Sequence, residues 1–297
     1  MQIGKYIMPL ISLIVLASCQ EDIELHYNRE ADQRVVIEGR ILDRMGTQIV
    51  RLTNSDDYYS NKVSAGALVE DVQIVAIGSG NIYSMSEVDT GNGYFMSKRD
   101  FAGVNGETYR LEFNYKNEQY AAEASLNAVT SLDSFNYVYI YYQEYKIGFY
   151  ETYISFTDPP EPGNYYFYNV YLNDTLYNRI IAGSMFENDE IYNGYTLRNW
   201  RSYAFHQEEI TQDTNKLRIE MLSISREEYN FINALIIETQ ANGSVFAGPP
   251  ADVPSNIKNL TSENHGLGFF AASAISSKEI TLIKQHNTST NNPIFEN

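Results

Sequence analysis

The stretch Gly103-Val-Asn-Gly-Glu-Thr-Tyr-Arg-Leu-Glu-Phe113 decides the fold class. It opens on two glycines three residues apart, the mark of a turn, and then places Tyr109, Leu111 and Phe113 on one side with Arg110 and Glu112 on the other. A period of two belongs to a half-buried strand and not to a helix. The same reading extends upstream. Tyr94-Phe-Met96 follows the turn Asp89-Thr-Gly-Asn-Gly93, and the apolar run from Leu68 to Ile77 is closed by Gly78-Ser-Gly80-Asn81 before a return over Ile82 to Met85. Val35-Val-Ile-Glu-Gly-Arg-Ile41 and Gln48-Ile-Val-Arg-Leu52 flank the turn residues Asp43 to Gly46 and read as a hairpin. Downstream, Asn117-Glu118 turns into Gln119 to Leu126. Short strands spaced about eight to twelve residues apart predict a small antiparallel β-sandwich over residues 33–130.

The remainder, residues 131–297, reads as a second β-rich domain. Phe135 to Tyr142, Lys146 to Phe156 and Asn164 to Leu172 are strand patterns, with a turn at Asp158-Pro-Pro-Glu-Pro-Gly163; Leu197 to Phe205 and Leu217 to Leu222 continue them. One helix is expected near residues 226–241. Ser225 as its N-cap with Glu228 three residues on spells a capping box, Tyr229, Ile232 and Ile236 share a face, and Gly243 stops it. Gly248-Pro-Pro250 and Pro254 then impose a long loop, Ala247 to His265, before Gly266-Leu-Gly-Phe-Phe270 and a last strand to Ile283. The fold class is therefore mostly β, two β-sandwich-like domains with a single helix in the second.

Composition limits the partners. The chain has 21 basic and 38 acidic residues, and removing residues 1–18, whose only charged group is Lys5, makes it one unit more acidic still. Such a field repels phosphate backbones, which excludes nucleic acid as a partner. With a single cysteine, Cys19, the folded body has no internal disulfide and no thiol-ligated metal.

The N-terminus carries the most specific motif. Lys5 precedes eleven residues from Ile7 to Ala17 that are almost all apolar, too few to span a bilayer, and the run ends in Leu16-Ala17-Ser18-Cys19. This resembles the lipobox of bacterial lipoproteins, which implies a signal peptide over residues 1–18 and diacylglyceryl on the Cys19 thiol. Residues 19–32 are polar and read as a lipidated tether; acyl chains contribute about 0.8 kcal/mol per buried methylene, so two or three hold a body at a membrane without a spanning helix. Gln20-Glu-Asp22 with Glu24 is similar to the export signal by which Bacteroidetes lipoproteins reach the cell surface.

Taken in order, the lipobox, Val35-Val-Ile-Glu-Gly-Arg-Ile41, Gly103 to Leu111, Leu132-Asp-Ser-Phe135, Gly163-Asn-Tyr-Tyr166, Ile224-Ser-Arg-Glu-Glu-Tyr229, Pro249-Pro-Ala-Asp-Val-Pro-Ser-Asn256 and Gly266 to Ser273 resemble the Bacteroidetes lipoproteins of the DUF4249 family. The resemblance covers nearly the whole chain after Cys19 and departs from the family pattern at Lys258 to His265. It implies an outer-membrane lipoprotein working beside a TonB-dependent receptor in nutrient uptake, and brings no catalytic residues or cofactors. The first domain also looks like the carboxypeptidase-regulatory-like sandwiches of such systems.

Motifs for catalysis are not found. The four histidines are scattered without a His-Glu-x-x-His, no Gly-x-Ser-x-Gly elbow occurs, and Gly78-Ser-Gly80 and Gly91-Asn-Gly93 read as hairpin turns. Glu187, Asp189 and Glu190 offer oxygens that Ca2+ would accept, although their spacing is not that of an EF-hand. Tyr137, Tyr139 and Tyr141 share one strand face and Trp200 sits among Arg198, Asn199 and Arg201; each is either a contact for sugar or protein or a core aromatic. The Pro-rich loop with Pro249, Pro250 and Asn256 is the expected partner-contacting segment. The sequence thus leads to a surface lipoprotein that binds or docks without turnover, against two alternatives: a surface hydrolase with a carboxylate pair, and a structural subunit of an outer-membrane assembly.

Overall fold

Alternation governs the strands of this computed structural model, which describes residues 33–56, 64–177, 185–240 and 253–285. In Thr108–Tyr115 every second side chain, Tyr109, Leu111, Phe113 and Tyr115, is buried. Ile147–Thr157 and Tyr165–Leu172 alternate in the same way. Strands take up 57% of the structure and a single α-helix is present among the described residues, so the fold is mostly β.

The first sheet has nine strands. β1 (Val35–Leu42), β2 (Ile49–Asn54), β3 (Val69–Ala76), β4 (Ile82–Glu87), β5 (Tyr94–Ser97), β6 (Thr108–Tyr115) and β7 (Glu118–Ser125) come from the N-terminal part. Its two outer strands come from far along the chain: β15 (Ile257–Asn259) lies antiparallel to β7, and β16 (Leu267–Ser273) lies parallel to β1. Residues 257–259 and 267–273, expected in the second domain, thus complete the first sheet, and the described residues from Arg34 onward belong to one compact unit. The expected Pro-rich loop is likewise corrected from Ile257, which is buried against Ala122 as a strand residue.

The outer strands nearly close the sheet on itself, and Asn256 joins them. Its side-chain amide donates to the carbonyls of Phe270 (2.7 Å) and Glu123 (3.0 Å), while its oxygen accepts from the Phe270 N–H (3.0 Å). One side chain therefore supplies the ladder bonds missing between β7 and β16. Inside lie Ile37, Ile41, Leu52, Ile74, Leu111 and Phe270, all fully buried. The β6–β7 turn has Lys116 and Asn117 both at positive φ, the two-residue geometry that suits the strand twist.

Two further sheets face each other across a second core. One holds β10 (Tyr165–Leu172), β11 (Thr175–Leu176), β12 (Met185–Asn188), β14 (Thr214–Ile224) and β17 (Ile275–Ile283); the other holds β8 (Leu132–Tyr142), β9 (Ile147–Thr157) and β13 (Thr196–His206). Phe135, Tyr150, Phe156 and Phe205 from the three-stranded sheet meet Tyr166, Val170, Leu217 and Ile219 from the other. Helix α1 (Arg226–Gln240) starts where Ser225 Oγ accepts the Glu228 N–H at 3.1 Å. Only half of the expected capping box is used this way: the Glu228 carboxylate turns to Arg40 on β1, where burial rewards charge neutralisation more than a second cap would. Phe231 then stacks near Phe269 with ring centroids 5.1 Å apart, so α1 covers the outer face of β1 and β16.

The two cores join at one end of the first sheet. The Asp43 N–H donates to the Ser273 carbonyl (3.2 Å), Asp43 Oδ1 accepts from the Ile275 N–H (3.0 Å), and Ser223 Oγ links the Asn127 carbonyl to the Ala274 N–H. Arg44 reaches Glu220 on β14 at 2.7 Å. Glu220 is buried and also holds Arg218 and the Tyr171 hydroxyl. The opposite end of the first sheet, where Val35 faces Asn54 and Val69 faces Tyr115, is where the chain enters from Gln33.

Candidate functional site

Two loops lie side by side at the barrel-facing end of the second core, Asp158–Asn164 and Asp189–Tyr195. Each is held by an aspartate that the chain buries. Asp189 Oδ2 accepts the Gly163 and Asn164 N–H groups at 2.8 and 3.0 Å, together with the Asn164 amide at 3.2 Å. Asp158 accepts the Tyr166 hydroxyl through Oδ1 at 2.6 Å and the Gly194 N–H through Oδ2 at 3.1 Å. A backbone bond from the Asp158 N–H to the Tyr195 carbonyl (3.0 Å) and a bond from the Asn193 side-chain amide to the Pro160 carbonyl (3.1 Å) tie one loop to the other. A buried carboxylate with several donors is stable and orders what donates to it. Burial and the Asp158 carboxylate push the Tyr166 phenol far above its ordinary range, so that it stays a donor.

Beneath the loops sits Glu187. Its two oxygens accept the Trp200 indole N–H at 3.0 Å and the Tyr192 hydroxyl at 3.3 Å. Burial nonetheless dominates and raises this carboxyl above its ordinary value of 4.5. Trp200 is half-buried and packs on Tyr192, ring centroids 6.0 Å apart.

The three calcium candidates, Glu187, Asp189 and Glu190, are turned to different surroundings. Glu187 points to an indole, Asp189 to backbone amides, and Glu190 is exposed. Among the described residues no group of three or more His, Cys, Asp or Glu side chains is placed to hold a metal ion. Tyr137 and Tyr139 belong to the second core: the Tyr139 ring lies 4.7 Å from that of Tyr150 and donates its hydroxyl to Gln207, and the Tyr137 hydroxyl accepts the Ile283 N–H. Tyr141 stacks on Tyr139 at 6.4 Å. Asn256 is committed to the barrel seam, and Pro249 and Pro250 lie outside the described residues.

The family model for DUF4249, a domain of unknown function, matches residues 20–279. The chain belongs to this family. No curated protein matches it significantly.

The loop pair of this DUF4249 chain presents two large apolar side chains to solvent. Ile191 is 83% exposed and Tyr195 69%, flanked by exposed Pro160, Glu161 and Glu190. A backbone so firmly bonded has little freedom left to lose when these side chains meet a partner. Sequence reading misses Ile191, Tyr195 and Asp158, because a turn with three prolines gives no sign of which carboxylate will anchor it. The signal that was available is the pairing of Asp158 with Asp189-Glu-Ile-Tyr-Asn-Gly194, two turn clusters bracketing β10 to β12.

Trp200 is the single tryptophan, so its emission reports on Glu187. A folded-state value raised above 4.5 means that the unfolded chain ionises first; the group is most favourable to folding below about pH 4.5, and that contribution is lost as pH rises through the folded value. A fluorescence titration is expected to show a transition with its midpoint above 4.5 that Glu187→Gln abolishes. At pH 7 the same variant melts no lower than wild type, since it removes a buried charge and retains an acceptor for the indole. An unchanged titration in Glu187→Gln would assign the transition elsewhere.

Proposed function

We propose that the chain is a lipid-anchored outer-membrane lipoprotein of the Bacteroidetes type, exposed at the cell surface, that docks on a TonB-dependent receptor, or presents a nutrient to it, without turnover. The carrying observation is the loop pair, where buried Asp158 and Asp189 are committed to backbone donors and hold Ile191 and Tyr195 out in water. That is the design of a docking surface: rigid apolar anchors within a polar rim. The three carboxylates that a hydrolase would draw on here, Asp158, Glu187 and Asp189, each accept from protein donors instead. Support for the anchor comes from Leu16-Ala17-Ser18-Cys19 and the acidic tether after it. Among the described residues no helix is long and apolar enough to cross a membrane.

The test is recovery of a TonB-dependent receptor with the protein extracted from its native membrane. Losing an interface anchor costs about 2 kcal/mol or more, so Ile191→Ala with Tyr195→Ala is expected to lower receptor recovery at least about tenfold. The melting temperature should stay within a degree or two of wild type, because both side chains are exposed. Undiminished recovery would remove the loop pair from the interface.

A further inference from the structure

We infer that the end of the first sheet opposite the second core rests on the lipid surface, with Leu68, Val88, Ile237 and Leu260 as its contacts. The inference builds on the anchor at Cys19 proposed above.

The chain itself sets the polarity. Fourteen residues separate Cys19 from Arg34, a reach of at most about 50 Å, and they join the body at the start of β1. Every neighbouring strand can be placed relative to that point by its register. Val35 faces Asn54, Val69 faces Tyr115, and Val36 faces Leu267, so these residues share the entry end, and the β4–β5 turn after Glu87 lies there too. Leu260 joins them through its N–H to the Gln119 carbonyl at 2.7 Å.

Helix α1 runs the same way. Glu228 meets Arg40 and Phe231 meets Phe269, the partner of Glu38, so the helix descends along β1 toward the entry point and carries Ile237 about 9 Å further down. Four separate segments thereby deliver aliphatic side chains to the end that receives the tether. Leu68 is 86% exposed, Leu260 63%, Ile237 57% and Val88 48%. Scattered singly such residues need no explanation; gathered at the entry point of a lipidated chain they fit the acyl–headgroup boundary. Acidic neighbours such as Glu70, Asp71 and Asp89 favour a zwitterionic over an anionic surface. The second core, attached at the other end, is then directed away from the membrane.

The full chain, processed in a lipoprotein-competent host, carries no free thiol if Cys19 is acylated. Leu68→Cys and Leu260→Cys, each labelled with an environment-sensitive nitrobenzoxadiazole dye, are reconstituted in phosphatidylcholine vesicles. Val104→Cys is the reference, because Val104 is 61% exposed at the opposite end of the same sheet. The expected result is severalfold brighter, blue-shifted emission at 68 and 260, quenched by nitroxide lipids, with water-like emission at 104. Floating protein whose dyes at 68 and 260 match that at 104 overturns the inference alone. Protein that fails to float and takes dye at Cys19 overturns the anchor as well.

Discussion

Gly268→Val is expected to prevent folding, or to lower the melting temperature by ten degrees or more. Gly268 has φ +85, and a Cβ there would lie 2.1 Å from the Ile37 carbonyl oxygen, with two further backbone atoms of Ile37 at or within 3.0 Å. Backbone cannot step aside as a flexible side chain can, and Ile37 is the register partner of Gly268 in the parallel β1–β16 pair. Two costs combine: a left-handed backbone worth about 1–2 kcal/mol for a side-chain-bearing residue, and a clash that separates the strands closing the sheet. A total above about 4 kcal/mol follows, in the range reserved for specific structural failures. Gly106→Ala is the control. It shares the positive φ, +82, but nothing lies within 4 Å of its would-be Cβ, so only the backbone cost applies. Thermal melts of the two variants separate the clash from the conformation, and equal losses would contradict the placement of β16.

The second large effect is at Glu220. Its buried carboxylate takes Arg44 from the first sheet, Arg218 beside it and the Tyr171 hydroxyl, while the Arg218 guanidinium lies 3.8 Å from the centre of the Tyr171 ring. Glu220→Ala leaves Arg218, only 20% exposed, without that charge partner and removes the ionic link between the two cores. Breaking a buried pair from one side costs about 3–5 kcal/mol. Arg44→Ala is expected to cost under about 1 kcal/mol, since Arg44 is 54% exposed and Arg218 still neutralises Glu220. Denaturant midpoints for both variants check the asymmetry; similar losses would mean that the link to Arg44, not the buried carboxylate, carries the stability.

The sequence made the strands legible wherever one face is buried and the other wet. β6 is the clearest case, and Ser225 likewise marks the start of α1 through the cap it forms. Pairing between distant segments is a different matter. Nothing in the alternation of Val35–Leu42 announces that Leu267–Ser273 will lie parallel to it, and Asn256 has no local feature that marks it as a seam. The candidate site was half legible for the same reason. Glu187, Asp189 and Trp200 stood out as chemistry-bearing types, but a carboxylate's role depends on its donors, and these come from Gly163, Asn164, Tyr192 and Trp200 on other elements. The tyrosine run of β8 shows the limit most plainly: the period of two put Tyr137, Tyr139 and Tyr141 on one face, and only the opposing sheet determines that Tyr137 and Tyr139 pack inward.

The proposed docking role requires attachment through Cys19. The intact mass of the N-terminal peptide, taken from protein extracted from its native membrane, is the most direct measurement. A peptide beginning at Cys19 and carrying diacylglyceryl is the predicted result; a chain that retains residues 1–18, or begins at an unmodified Cys19, would contradict it.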